Sequence, residues 1–242
     1  MNEEAIPLTE HLAELRTRLI YTIAACAVGF GGAWSFREVI FSALLAPAVN
    51  SLGGESARLQ AIAPTEIFFT YLKGAALGGF VLALPVVFWQ IWAFIAPGLY
   101  PTEKRVAVPF VLVSTALFLS GATFGYTMVF PLMFDFLSNF ENDFVVAAWT
   151  MREVFGLTTR LFLAFGIAFE LPVLVFFLAV ADIVDARTLL RGFPYAVLGC
   201  FVLSAVLTPP DWVSQVFLAV PMSLLYLIGV GVAWIFAGRG RA

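Results

Sequence analysis

At 242 residues, 62% hydrophobic and only 12% charged, the chain carries more apolar surface than a soluble fold of its length could hide, since soluble domains run about half apolar and about a quarter charged. Its apolar residues, 26 phenylalanines among them, gather in runs instead of alternating with polar ones, as lipid in the place of water requires. The net charge of -3 offers no basic surplus for nucleic acid, and membrane orientation has to be read from where Lys and Arg lie.

Met1 to Arg18 is polar, with Leu8, Leu12, Leu15 and Leu19 recurring at helical spacing, which predicts a helix with one apolar stripe at the membrane surface. Thr9 and Glu10 are its candidate start residues. A first span follows over about 19–36, and because no small-residue cleavage site follows it, it is read as retained. Arg37 to Pro64, with Gly53-Gly54 and prolines at 47 and 64, reads as an extramembrane loop holding a short amphipathic helix near Val39 to Leu45. The second run, about 67–96, is long enough to cross with tilt; it has Lys73 early in it and Pro85 as the expected kink.

The third span is about 106–137, and the polar segment Ser138 to Arg152 after it shows no motif. The fourth, about 154–181, is interrupted by Glu170 and Pro172. Asp182 to Arg191 reads as a polar loop. The fifth run, 192–207, is near the lower length limit for crossing and reads either as a short span in thinned lipid or as a hairpin arm. Thr208-Pro209-Pro210-Asp211 breaks the chain before the sixth run, 212–237. The fold class is therefore an all-α integral membrane protein, a single polytopic domain over 1–242 with six transmembrane helices.

Six spans put both termini on one side. With that side cytoplasmic, Arg16, Arg18, Lys104, Arg105, Arg187, Arg191, Arg239 and Arg241 are all inside, against Arg37, Arg58 and Arg152 outside, which is the asymmetry the positive-inside rule asks for. Cys26 and Cys200 lie in apolar runs and read as packing residues. His11 has no second His or Cys near it, so no metal site is indicated. There is no paired-histidine motif, phosphate loop or nucleophile elbow, so neither an enzyme nor a cofactor is expected.

Three polar groups stand out. Glu14, Arg16 and Arg18 on the surface helix, with Glu103, Lys104 and Arg105 in the first cytoplasmic turn, read equally as topology anchors and as a recognition surface. Glu170 is a carboxylate inside an apolar run and must face protein, water or a partner helix; Pro172, two residues on, bends the backbone there. Asp211 is placed to cap the last helix. Gln215, one turn into that helix, needs a hydrogen-bond partner from another span.

Pro7 to Leu19, Phe68 to Lys73, Gln90 to Arg105, Phe165 to Pro172 and Leu207 to Gln215 resemble, in order and on the expected sides of six spans, the TatC family. That resemblance implies a concave, glove-like bundle with both termini inside, in a bacterial cytoplasmic membrane. It implies the core receptor of a translocase that exports folded proteins with twin-arginine signal peptides, driven by the proton motive force. It assigns peptide recognition to Glu14, Arg16, Arg18, Phe94 and Glu103. Docking of the single-span partners TatA and TatB falls to Glu170, Thr208 and Gln215, and Pro47 matches a position needed for function. Membrane lipid and self-association in the translocase complete the implied partners, with no nucleic acid. The alternative from another class is a proton-coupled secondary transporter using Glu170, and a third is a scaffold without a ligand.

Overall fold

The computed structural model describes residues 8–52, 59–95, 107–140, 148–181, 183–208 and 211–237, and among them every named element is helical. The order is α1 (Leu8–Trp34), α2 (Arg37–Ser51), α3 (Pro64–Ile95), α4 (Ala107–Phe124), a π-helical segment (Gly125–Val129), α5 (Phe130–Ser138), α6 (Met151–Ala168), α7 (Leu171–Val180), α8 (Ala186–Arg191), α9 (Phe193–Leu207) and α10 (Trp212–Ala237). Among the described residues, four spans are long and apolar enough to cross a bilayer: Pro64–Ile95, Val108–Ser138, Met151–Ala179 and Trp212–Ile235. The pair Leu12–Trp34 and Arg37–Ser51 qualifies together, sharply bent at the break, and α9 is apolar but only 15 residues long.

Several segments differ from the sequence-based reading, each for a local reason. α1 is already helical at Leu8, so Thr9 and Glu10 lie within it rather than ahead of it. The stretch expected to be mostly loop after residue 36 is the 15-residue helix α2 with Pro47 inside it. α3 continues through Pro85 without a break. The third span is interrupted at Gly125–Val129, where Phe130 N–H reaches back to the carbonyl of Gly125, and Pro131 then falls in the first turn of α5, where no N–H is needed. Ala186 to Arg191, expected to be loop, forms the short helix α8 behind Asp185.

The fourth run breaks where expected. Phe169 and Glu170 form a turn between α6 and α7, closed by the short bond from Glu170 N–H to the carbonyl of Ile167, with Pro172 in the first turn of α7. The segment before α6 also gains a role: Gln60 N–H donates to Trp149 O at 2.9 Å and Met151 N–H to Gln60 O at 2.8 Å. One of the unpartnered amides at the α6 start is thus satisfied, and the Thr150 hydroxyl caps it by accepting from Glu153 N–H.

The chain divides into two compact units. One comprises residues up to Phe41 together with Tyr71–Thr115, and its organising contact is glycine on glycine: a Cβ on Gly29 would strike the Gly79 backbone, and one on Gly79 would strike Phe30. α1 and α3 therefore pack backbone to backbone, the close approach that small residues allow between membrane helices. The other comprises Ser42–Thr70 and the chain from Ala116 on, built around the fully buried Phe118, Phe130, Phe134 and Phe165. Gly121, Gly125 and Gly166 admit the phenylalanines of the facing helix. At the other end of this unit Gly229 lets α10 close on Pro172 of α7, above a cluster of Val175, Ala179, Leu189, Val230 and Ala233.

Candidate functional site

Two polar groups of the sequence analysis are positioned by these contacts. In the first unit α1 and α3 run antiparallel, as Arg18 beside Gln90 and Gly29 against Gly79 require: the eleven residues from Arg18 to Gly29 match the eleven from Gln90 back to Gly79. Continued one turn outward, the same register sets Glu14 level with Phe94. Arg18 donates to a single Glu14 oxygen, from Nε at 3.1 Å and Nη2 at 2.7 Å, and its third nitrogen Nη1 reaches the Gln90 side-chain oxygen at 3.2 Å. Glu14 and Arg18 are each 28% exposed, so this is a sheltered rim and not an open surface pair.

The consequence is chemical. The Glu14 carboxylate already accepts a guanidinium through one oxygen, and among the described residues no hydrogen bond occupies its second, so acceptor capacity for a further donor remains. Arg16 is exposed on the same helix, and Phe94 closes the last turn of α3. Glu103 lies outside the described residues. Gln90 was not singled out by sequence, although a polar amide inside an apolar run is the same signal that marked Gln215.

The second group is a hairpin. Gln215 Nε2 donates to Phe201 O of α9 at 3.0 Å, so its amide finds the expected partner on another helix. Ser204 Oγ donates to Gln215 O at 2.6 Å and the Thr208 hydroxyl donates to Ser204 O at 2.9 Å, all within a largely buried seam. Asp211 Oδ1 accepts from Ser214 N–H at 2.6 Å and caps α10 as expected. Ser204, which sequence reasoning passed over, joins the two arms. Glu170 is half-buried at the α6–α7 break. Lys73 and Arg160 are both exposed on their spans. Among the described residues no group of His, Cys, Asp or Glu could hold a metal ion.

Pro47 has a physical role. Lacking an N–H, it leaves Ala43, one turn back, without its helical donor, and the Tyr126 hydroxyl donates to that carbonyl at 2.6 Å. Tyr126 lies in the π-helical segment, and the two residues share the wall of a cavity of about 450 Å3 with Asn50 and Asp135.

Long apolar helices, proline breaks with side-chain hydrogen bonds to backbone, and a rim carboxylate already holding a guanidinium define a polytopic membrane protein built for recognition. Comparison with known proteins gives the family. Residues 10–221 match the family model "Sec-independent protein translocase protein (TatC)". The TatC protein of Desulforapulum autotrophicum is 42% identical over 237 residues, covering 98% of this chain and 87% of that one; the Escherichia coli TatC is 38% identical over 239 residues, covering 99% and 92%. A crystal structure described as the twin arginine translocase receptor TatC superposes with a TM-score of 0.83 at 36% identity, covering 95% of this chain and all of that one. The chain belongs to the TatC family: it is a multi-pass component of a bacterial inner-membrane protein translocase, and not an enzyme. The solute-transporter alternative finds no support among these relatives.

The Tyr126 contact gives a direct test. Tyr126→Phe should destabilise the protein by about 0.5–1.5 kcal/mol, the net worth of one hydrogen bond, read as thermal unfolding in detergent. In a Pro47→Ala background the restored amide should make the same substitution nearly neutral, and an equal loss in both backgrounds would exclude the pairing.

Proposed function

We propose that the chain is the receptor for twin-arginine signal peptides, with the arginine pair bound on the cytoplasmic side by Glu14 and Glu103 beside Phe94, and with Arg16 and Arg18 shaping the rim. The observation that carries this reading is the Glu14 carboxylate, which already holds the Arg18 guanidinium through one oxygen and has the second to offer. Family membership supports the ligand: the crystal structure that this chain resembles is described as a twin arginine translocase receptor. A guanidinium presents a fork of fixed donors that a lysine ammonium lacks, so the site discriminates arginine from lysine by shape.

Replacing Glu14 or Glu103 by Ala should weaken binding of a twin-arginine peptide to the purified protein by roughly 1.5–3 kcal/mol, one charge-assisted hydrogen bond each. Unchanged affinity in both single variants and in the double variant would overturn the assignment.

In the same reading the chain crosses the membrane six times, with α1 and the shorter α9 as spans and both termini cytoplasmic, as the distribution of Arg and Lys supports. Cysteines introduced at Ser51 and Ser138 should react with an impermeant reagent from the outside alone. Labelling from the cytoplasmic side would reject the topology.

Glu170, Thr208 and Gln215 serve partner docking, with single-span TatA and TatB proteins as the partners and self-association of the receptor in the assembled, proton-motive-force-driven translocase. The support is polar chemistry at breaks in apolar helices, where a carboxylate needs a polar neighbour. Glu170→Ala should abolish crosslinking to the partner helix and export while signal-peptide binding persists, and Glu170→Gln should retain part of both. Full crosslinking and export in the Ala variant would refute docking at this residue.

A further inference from the structure

A cavity of about 500 Å3 opens beside the start of α6, within the range of small-molecule sites. Phe134, Leu137, Leu157 and Leu207 give it apolar walls, and Glu153 and Arg160 are the charged groups at its lining. The reading of Glu14 does not use it, and of the docking residues Thr208 alone lies on its wall. Arg160 is exposed on an apolar span, and among the described residues its guanidinium has no hydrogen-bond or ion-pair partner; the Glu153 carboxylate likewise has none. Seven residues apart, they share one face of the helix yet stand about 10 Å apart along its axis, too far to neutralise each other.

We propose that this cavity binds the headgroup of an amine-bearing phospholipid, its phosphate diester held by Arg160 and its primary ammonium by Glu153, with the acyl chains against the apolar walls. Depth carries the argument. The span Met151–Ala179 has 29 residues with a turn at Phe169–Glu170, at most about 43 Å end to end, against about 30 Å of hydrocarbon and about 40–45 Å with both headgroup layers. Its first 6 Å or so therefore lie among headgroups. The Glu153 Cα, about 3 Å from the start, is in that layer, and the Arg160 Cα, about 13 Å in, is below it, within the outward reach of a snorkelling arginine.

The order of charges along α6, anion outermost and cation deeper, is the reverse of the order in a phosphoethanolamine headgroup, whose ammonium lies outward of its phosphate. That complementarity holds whichever side of the membrane α6 starts from. A guanidinium at the hydrocarbon boundary needs an anion, and the anion available there is the lipid phosphate. An arginine-rich peptide would be repelled by Arg160, and an acidic one would have to bring a carboxylate into the boundary layer.

The purified full-length protein in a sugar-headgroup detergent, titrated with short-chain phosphatidylethanolamine, phosphatidylcholine and phosphatidylglycerol and read by native mass spectrometry, tests this. Phosphatidylethanolamine should bind tightest, because the quaternary ammonium of choline has no N–H to donate and glycerol has no charge. Arg160→Gln should weaken all three about tenfold or more, Arg160→Lys should keep most of the binding, and Glu153→Gln should erase the ethanolamine preference while leaving phosphatidylglycerol unchanged. Should the Gln variant fail to accumulate, Arg160→Met serves in its place. Equal affinity in wild type and the charge-removed variant overturns the proposal. So does displacement of the lipid by excess inorganic phosphate, which would make free phosphate the ligand, or by an acidic peptide, which would make it a protein site.

Discussion

In hydrocarbon a backbone carbonyl or amide without a partner costs several kcal/mol, and this constraint governs where the chain can break its helices. Pro131, Pro172 and Pro194 all stand in the first turn of a helix, where an amide has no helical acceptor to lose. The breaks before them are then inexpensive: a π-helical segment before Pro131 and a tight turn before Pro172 carry the chain across. Pro47, inside α2 and outside the four long spans, is a milder case: it strips the carbonyl of the exposed residue Ala43 of its donor. Tyr126, 83 residues away, supplies one. The π-helical segment that interrupts the third span is where that tyrosine sits, so the irregularity of one helix serves the irregularity of another.

The α9–α10 hairpin obeys the same constraint in a different form. Thr208 and Ser204 return their hydroxyl donors to carbonyls, and Gln215 spends an amide donor on Phe201 O. These residues are polar without being exposed polar surface. A docking role for Thr208 and Gln215 has to work alongside bonds already made inside the hairpin, which favours recognition through the shape and rigidity of the seam. Glu170 is half-buried at a turn of its own, between α6 and α7.

Much of this was legible from the residues because apolar run lengths and proline positions are local signals. The fourth-run break at Glu170 and Pro172, the Asp211 cap, the need of Gln215 for a cross-helix partner and the Glu14–Arg18 spacing follow from rules that act within a turn or two. The π-helical segment did not show, because one extra residue in a turn leaves no local signal comparable to a proline. The Tyr126–Ala43 bond was invisible for a different reason: nothing in either segment names the other. α2 was read as mostly loop because its proline and polar flanks outweighed its apolar middle, while in the fold Leu44, Leu45, Pro47 and Ala48 are buried together.

The Glu14–Arg18–Gln90 cluster depends on packing far from it. Arg18 can reach Gln90 only if α1 and α3 stay close along their length, and the Gly29–Gly79 contact, three turns away, fixes that distance by removing both side chains. A wider separation would leave the Arg18 fork bound to Glu14 alone, as an ordinary pair within one helix worth a few tenths of a kcal/mol. With Gln90 taking the third nitrogen, the guanidinium plane is held by two helices, and the Glu14 carboxylate is held with it through Oε1. Preorganisation of this kind lowers the entropy cost of binding. The geometry of the Glu14–Arg18–Gln90 cluster is thus set by two glycines three turns away from it.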